Sequence, residues 1–352
     1  MNLTESDPTR DPLFQLNMIL WLTQPLPIDA SIEPLLYNRG FTVYAISPLL
    51  TVPPDVRIVA QEAKVILQDA VCPDVVLSNE INRKYSLIEC KASSFSPSSS
   101  SAEQARSLFT VSGSRVAEVL GLVPDQVSES LLVFGTRDSE RNRFEPSLSS
   151  LLSEIKAKRL PAGDFSILGF LLAGDVISIT TDDKGAMFFG LQTGINKFAQ
   201  HESGTDPRPL YFIPYDPDID QSAQERAFCK RVLFERIHSS IISAVGRANP
   251  PVHLTLDSKS MLVDATFGMY GLWQKKESAK HMRCLCRELM DALSLAINTV
   301  IPGIIIYVQG QGWKISIQDQ DQYEKALDAF ASFSCDSLDL STIPQPTLFD
   351  ES

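Results

Sequence analysis

Apolar runs broken at regular intervals by polar residues predict a chain that mixes helices and strands. Over residues 31–40, Ser31 stands in a capping position, Ile32, Leu35 and Leu36 form an apolar stripe, and Gly40 supplies a stop; the pattern predicts a helix. FTVYAI at 41–46 predicts a strand. Residues 47–72 fit either a short helix around 60–67 or a β-hairpin. Asp74-Val-Val-Leu77 is a short β-branched run, residues 79–84 are polar and turn-like, and YSLIECK at 85–91 is a second strand. A serine-rich link over 93–101 follows, and Ser101 with Gln104 resembles a capping box opening a helix at Ala102. LLVF at 131–134 predicts a further strand.

This order of helix, three strands, helix and strand indicates a compact mixed α/β domain over 1–145. Beyond it, the pattern predicts a helix at 147–160, β structure at 167–180, and a polar Gly- and Pro-containing connection at 197–209. A long amphipathic helix at 221–245 ends before Pro250-Pro251. A strand at 252–256, a helix at 276–298, strands at 304–308 and 313–317, and a helix at 322–333 complete a second α/β domain over 146–335, expected to recognise DNA or a partner. Residues 336–352 read as a disordered acidic tail.

The 352 residues are 44% apolar and 21% charged, ordinary for a globular protein. With 31 basic and 43 acidic residues the net charge is −12, so contact with phosphate must rely on a local basic patch. Six scattered cysteines match neither a zinc ribbon nor a disulfide framework and suit a reducing cytoplasm. The apolar run at 13–22 is interrupted by Gln15 and Asn17 and makes a poor signal sequence, and no stretch approaches the ~20 apolar residues of a membrane span. The expectation is a cytoplasmic protein without a membrane partner.

Candidate chemistry concentrates at Asp74, Glu89 and Lys91. Side chains alternate along a strand, so Glu89 and Lys91 share one face and Ile88 and Cys90 the other. With a turn centred between Ile81 and Asn82, paired residues sum to 163, which sets Asp74 opposite Glu89 with Cβ atoms about 5 Å apart. Two neighbouring carboxylates repel unless a cation lies between them, and oxygen ligands select Mg2+ or Mn2+. The plainer alternative is an exposed hairpin carrying a surface ion pair between Glu89 and Lys91.

Pro73-Asp74, a fourteen-residue spacer and Glu89-Cys90-Lys91 resemble the PD-(D/E)XK nuclease superfamily of restriction enzymes and Holliday-junction resolvases. The resemblance covers roughly residues 28–136. It implies a restriction-endonuclease-like core with a central mixed sheet, and metal-dependent DNA endonuclease activity in restriction, phage defence or repair. It further implies a metal held by Asp74, Glu89 and the backbone carbonyl of Cys90, with Lys91 assisting the attacking water. Glu33, before the first strand, and Gln104, in the following helix, match supporting positions; Pro34 directly after Glu33 and Leu108 in place of a tyrosine depart from the pattern. Many such enzymes cut two strands as homodimers. A non-catalytic DNA- or protein-binding module on the same fold and an RNA nuclease remain the alternatives.

Two signals lie outside that core. Lys276, Lys280, Arg283 and Arg287 recur at helical spacing, suggesting either a phosphate-tracking stripe or a solvated face, and Arg226, Lys230 and Arg231 form a smaller stripe of the same kind. Gln345-Pro-Thr-Leu348-Phe349 resembles the Gln-x-x-Leu-Phe peptide by which bacterial DNA-processing proteins dock on the sliding clamp, and Pro346 departs from it.

Overall fold

The first regular element arises where the sequence shows an apolar run carrying two amides. In a computed structural model, which describes residues 7–200, 206–219, 221–335 and 338, helix α1 (Pro12–Thr23) is buried from Leu13 to Thr23. Asp11 caps it by accepting from the Leu13 amide at 2.9 Å, and Pro12 occupies its first turn. Gln15 donates to the Thr9 carbonyl at 2.8 Å and Asn17 to the Leu13 carbonyl at 2.9 Å, so both amides enter the core hydrogen-bonded.

Strand β1 (Thr42–Ile46) follows; β2 (Leu50–Thr51), α2 (Pro54–Glu62) and β3 (Ala70–Val71) then form a helix flanked by a two-stranded ribbon. The ambiguous segment 47–72 therefore holds a helix, several residues earlier than 60–67, and its two short strands pair across that helix and not as a hairpin. Next come β4 (Val75–Asn79), β5 (Lys84–Cys90), α3 (Ser100–Val111), the short α4 (Val116–Val119), β6 (Glu129–Arg137) and α5 (Arg141–Ala157). The unit closes with β7 (Phe165–Ala173), β8 (Val176–Thr181), α6 (Asp183–Phe189) and β9 (Gly194–Gln200).

Seven of these strands make one mixed sheet in the order β1-β4-β5-β6-β7-β8-β9. β5, β6 and β7 run parallel and the other pairs antiparallel. Parallel neighbours need crossovers, which α3 and α5 supply. One face of the sheet, carrying Val76, Tyr85, Leu87, Phe134 and Ile167, packs against α2, α3 and α5 through Val56, Phe109 and Phe144. α1 packs against β1 and β5.

The chain divides into two compact units, one reaching Leu210 and including Leu272–Lys275, the other comprising Tyr211–Gly271 and the chain from Lys276 on. The sequence pattern predicts a division at 145/146, but β7, β8 and β9 extend the sheet begun by β1, so the first unit runs about 65 residues further, to Leu210. In the second unit, α7 (Ala223–Arg247), β10 (Val252–Leu256), α8 (Ser258–Ala265), α9 (Lys276–Val300), β11 (Ile305–Val308), β12 (Gly312–Ile317) and α10 (Gln320–Ser332) build four helices beside an antiparallel sheet ordered β10-β12-β11.

Two local expectations are corrected. Residues 31–40 form turns and a 3-10 segment at Tyr37–Arg39 in place of a helix, because Pro34 lacks an amide hydrogen and the stripe is too short to sustain α-helical turns, although Gly40 does stop the segment at φ 84°. The cap of α3 is Ser99, accepting from the Ala102 amide, so the helix starts before Ser101. Among the described residues no helix is long and apolar enough to cross a membrane, and all six cysteines are free thiols.

Candidate active site

The hairpin β4–β5 pairs Val75 with Ile88, Val76 with Leu87 and Asn79 with Lys84. Each pair sums to 163, the register expected from the turn. One step beyond Val75–Ile88 the ladder sets Asp74 opposite Glu89, on the face of Val76 and Leu87 that α2, α3 and α5 cover. The plainer alternative, an exposed hairpin, is excluded: Glu89 is 3% exposed.

The three charges are tied together by short contacts. Lys91 Nζ lies 2.6 Å from Glu89 Oε1 and donates to Gln104 Oε1 at 2.8 Å. Asp74 Oδ2 accepts from the Cys90 amide at 2.6 Å. The Lys91 amide in turn donates to the Gly135 carbonyl on β6 at 2.7 Å, which holds the end of β5 against its parallel neighbour. Gln104 reaches Lys91 because α3 crosses this face of the sheet; its side chain is thus committed to the charged cluster and not to capping.

Burial dominates the electrostatics. Withdrawal from water pushes the Asp74 carboxyl above its ordinary range, while the Cys90 amide, the charge of Lys91, the Cys90 thiol and the charge of Lys275 pull it back. Burial, and after it the charge of Asp74, raises Glu89 to about 8 against the opposing pull of Lys91 and Gln104. For Lys91, burial alone would lower the pKa, but Glu89 and Asp74 outweigh it and the net displacement is upward. The cluster holds two carboxyls and one ammonium, so ionising both acids leaves one uncompensated negative charge in a dry site. A divalent cation would compensate it.

Three observations bear on whether these residues fit such a cation. Glu89 Oε2 is buried without a hydrogen-bond partner. Thr136 Oγ1 is likewise buried and unpartnered, and the pairing of Cys90 with Gly135 sets Thr136 beside Lys91. The set falls short of a protein-only cage: among the described residues no group of three or more His, Cys, Asp or Glu side chains could hold a metal. Two carboxylates and a carbonyl suit Mg2+, which keeps several waters, better than a cation that demands full protein coordination. Burial, then the charges of Asp74 and Glu89, and a hydrogen bond to Asp74 raise the Cys90 thiol well above its ordinary pKa, so it stays protonated and the backbone carbonyl is the donor this residue offers a hard cation.

Other expected site residues are distributed differently. Glu33 lies in the turn region; its side chain is exposed and makes no hydrogen bond or ion pair among the described residues, while its amide donates to the Phe198 carbonyl on β9. The helix preceding β1 is α1, which contains no glutamate, so the supporting role expected of Glu33 is not met. On α9, Lys276 is exposed, but Arg283 acts on the Tyr270 hydroxyl and Arg287 lies 5.1 Å over the Tyr307 ring and near Asp291. At least two of the four are therefore engaged within their own unit. Lys230 of the smaller stripe is fully buried. Gln345, Leu348 and Phe349 lie outside the described residues. Thr136 falls outside the strand that LLVF at 131–134 predicts, because β6 runs on to Arg137; a lone threonine two positions past that run is its signal in the sequence.

No family model, curated protein or solved structure matches this chain.

Proposed function

We propose that the chain is a metal-dependent phosphodiesterase of the PD-(D/E)XK type, acting on nucleic acid as an endonuclease. The observation that carries this reading is the convergence of Asp74 and Glu89 from paired strands, on one buried face, beside an ammonium held by Glu89 and Gln104. The order strand, strand, strand, helix, strand expected for a restriction-endonuclease-like core corresponds to β1, β4, β5, α3 and β6, with the β2–α2–β3 segment inserted.

Asp74, Glu89 and the Cys90 carbonyl would hold Mg2+ or Mn2+. A bound ion of this kind lowers the pKa of water and neutralises charge on a phosphoryl oxygen. Glu89 must be deprotonated to serve, and the neighbouring Lys91 ammonium favours that form. Gln104 fixes the Lys91 side chain so that its ammonium faces the site, where it offsets charge developing on the phosphate or orients the attacking water. Two buried acids beside a single ammonium leave one negative charge unpaired when both are ionised, and a bound cation would offset it, which favours the catalytic reading over a binding module.

Plasmid nicking tests the reading. Wild-type protein with Mg2+ or Mn2+ should nick DNA, and Asp74→Ala and Lys91→Ala should each lower the rate by at least about 100-fold, in line with loss of a charge-stabilising group. Activity untouched by both substitutions sinks the proposal. Cleavage confined to RNA would move the substrate class and leave the site in place. Absence of cleavage on DNA, RNA and branched substrates would favour the non-catalytic module.

A further inference from the structure

Strands β5 and β6 end side by side, and beyond Lys91 lies a cavity of about 480 Å3. Residues 92–94, Arg10, Arg137, Arg143 and Glu140 line it. Ala92 is the residue after Lys91, and Arg137 lies two positions past Gly135, the residue that accepts the Lys91 amide. The carboxyl ends of parallel strands are where open α/β sheets seat ligands.

The charges here are arranged for an anion. Three guanidiniums face one lining carboxylate, in a chain whose net charge is −12. Arg137 is held by Asp7 at 2.9 Å, which fixes one wall. Arg143 has only a long contact of 3.6 Å to Glu140, and its side chain is 76% exposed. Arg10 is exposed and its side chain has no hydrogen bond or ion pair among the described residues. Asp7 and Glu140 offset two of the three guanidinium charges, which leaves Arg10 unpaired among the described residues and the cluster net positive, a surplus that an anion in the cavity would neutralise. Guanidinium forks match phosphate oxygens in pairs, and Ser93 and Ser94 add donors on the remaining wall.

We propose that the cavity formed by Arg10, Arg137 and Arg143 holds a backbone phosphate of a nucleic-acid strand that runs past Lys91. The ligand class rests on the hydrolytic reading above. The shared chemistry is the phosphodiester, common to DNA and RNA. Arg137 forms the fixed wall, and Arg10 and Arg143 close on the anion from the solvent side.

The test measures binding of labelled single-stranded DNA, duplex DNA and RNA to the full chain by fluorescence anisotropy over a salt series, with chelator present to prevent cleavage. Arg10→Gln together with Arg143→Gln should weaken binding by about tenfold or more and flatten the plot of log affinity against log salt by roughly 0.7 per lost contact on a single strand or 0.9 on a duplex. Glu140→Gln, which removes the opposing charge, should tighten binding, an outcome that misfolding does not produce. The polymer showing the Arg-dependent slope identifies the source of the phosphate.

Unchanged affinity and slope in the double variant overturn the proposal, as does failure of the wild type to bind either polymer. Parallel nicking assays separate this failure from that of the hydrolytic reading. Cleavage that depends on Lys91 but binding indifferent to Arg10 and Arg143 removes only the cavity's role. Arg-dependent binding by a protein that cleaves nothing upholds the cavity and removes only the hydrolysis.

Discussion

Glu89 sits 3% exposed with one carboxylate oxygen unpartnered, and its pKa is raised to about 8. At about 1.4 kcal/mol per unit, that displacement is worth several kcal/mol, more than a typical net hydrogen bond of about 1 kcal/mol returns. Hydrogen bonding alone therefore does not offset that cost; the Lys91 ammonium at 2.6 Å offsets part of it, and on the proposed reading a metal cation would offset the rest. His238 on α7 shows the opposite kind of titration, remote from this cluster in sequence and in the other unit. Burial lowers its pKa, partly offset by the Phe330 carbonyl 2.9 Å from Nε2, and the Phe333 ring stands edge-on at 5.3 Å. Below the ordinary value of 6.5 the unfolded chain takes up a proton that the folded chain does not yet bind. Stability should therefore fall as pH drops from 6.5 to the lowered folded value and change no further below it, by at most about 1.4 kcal/mol per pH unit. Denaturant melts at several pH values should show this acid slope in wild type and its loss in His238→Gln; identical slopes would refute it.

Between elements, register does the positioning. A shift of one residue in the β4–β5 ladder would turn Glu89 toward α1 and separate it from Gln104. The turn at 80–83 and the alternation of Val75, Leu77, Ile88 and Cys90 against Val76 and Leu87 prevent it, and both signals are local, which is why the pairing could be read from the chain. The β6 partnership could not, because parallel neighbours are joined by a crossover and not by a turn. Gly135 marks that junction: a Cβ there would come within 2.8 Å of the Phe170 ring and 3.2 Å of Cys90 Sγ. Gly135→Ala should therefore lower stability by roughly 1–3 kcal/mol, as overpacking of a tight core does. It should also reduce nicking, since the Gly135 carbonyl anchors Lys91. Urea denaturation and a nicking assay would measure both effects, and a neutral result would show that the strands part without consequence.

For the protein taken entire, metal binding and stability should be linked. If two buried acids await a cation, Mn2+ or Mg2+ at about 100 times its dissociation constant should stabilise the fold by about 2.7 kcal/mol. Thermal melts should show an upward shift in wild type and none in Asp74→Asn or Glu89→Gln; equal shifts in all three would place the ion elsewhere. The second unit invites a different emphasis from its basic helix alone, because Arg283 and Arg287 serve Tyr270 and Tyr307 within it.

Periodicity, turn chemistry and one register sum located the strands of Asp74 and Glu89, the alternation that pairs Glu89 with Lys91, and most helices of the second unit, since each depends on residues near one another in the chain. The extent of the first unit, the failure of a helix at Glu33, the deep burial of the acids, the orphaned Thr136 hydroxyl and the arginine-lined cavity depended on folding. Each of these arises from contacts between segments tens of residues apart, and the energy of burying a charge is set by what covers it, which no local pattern records.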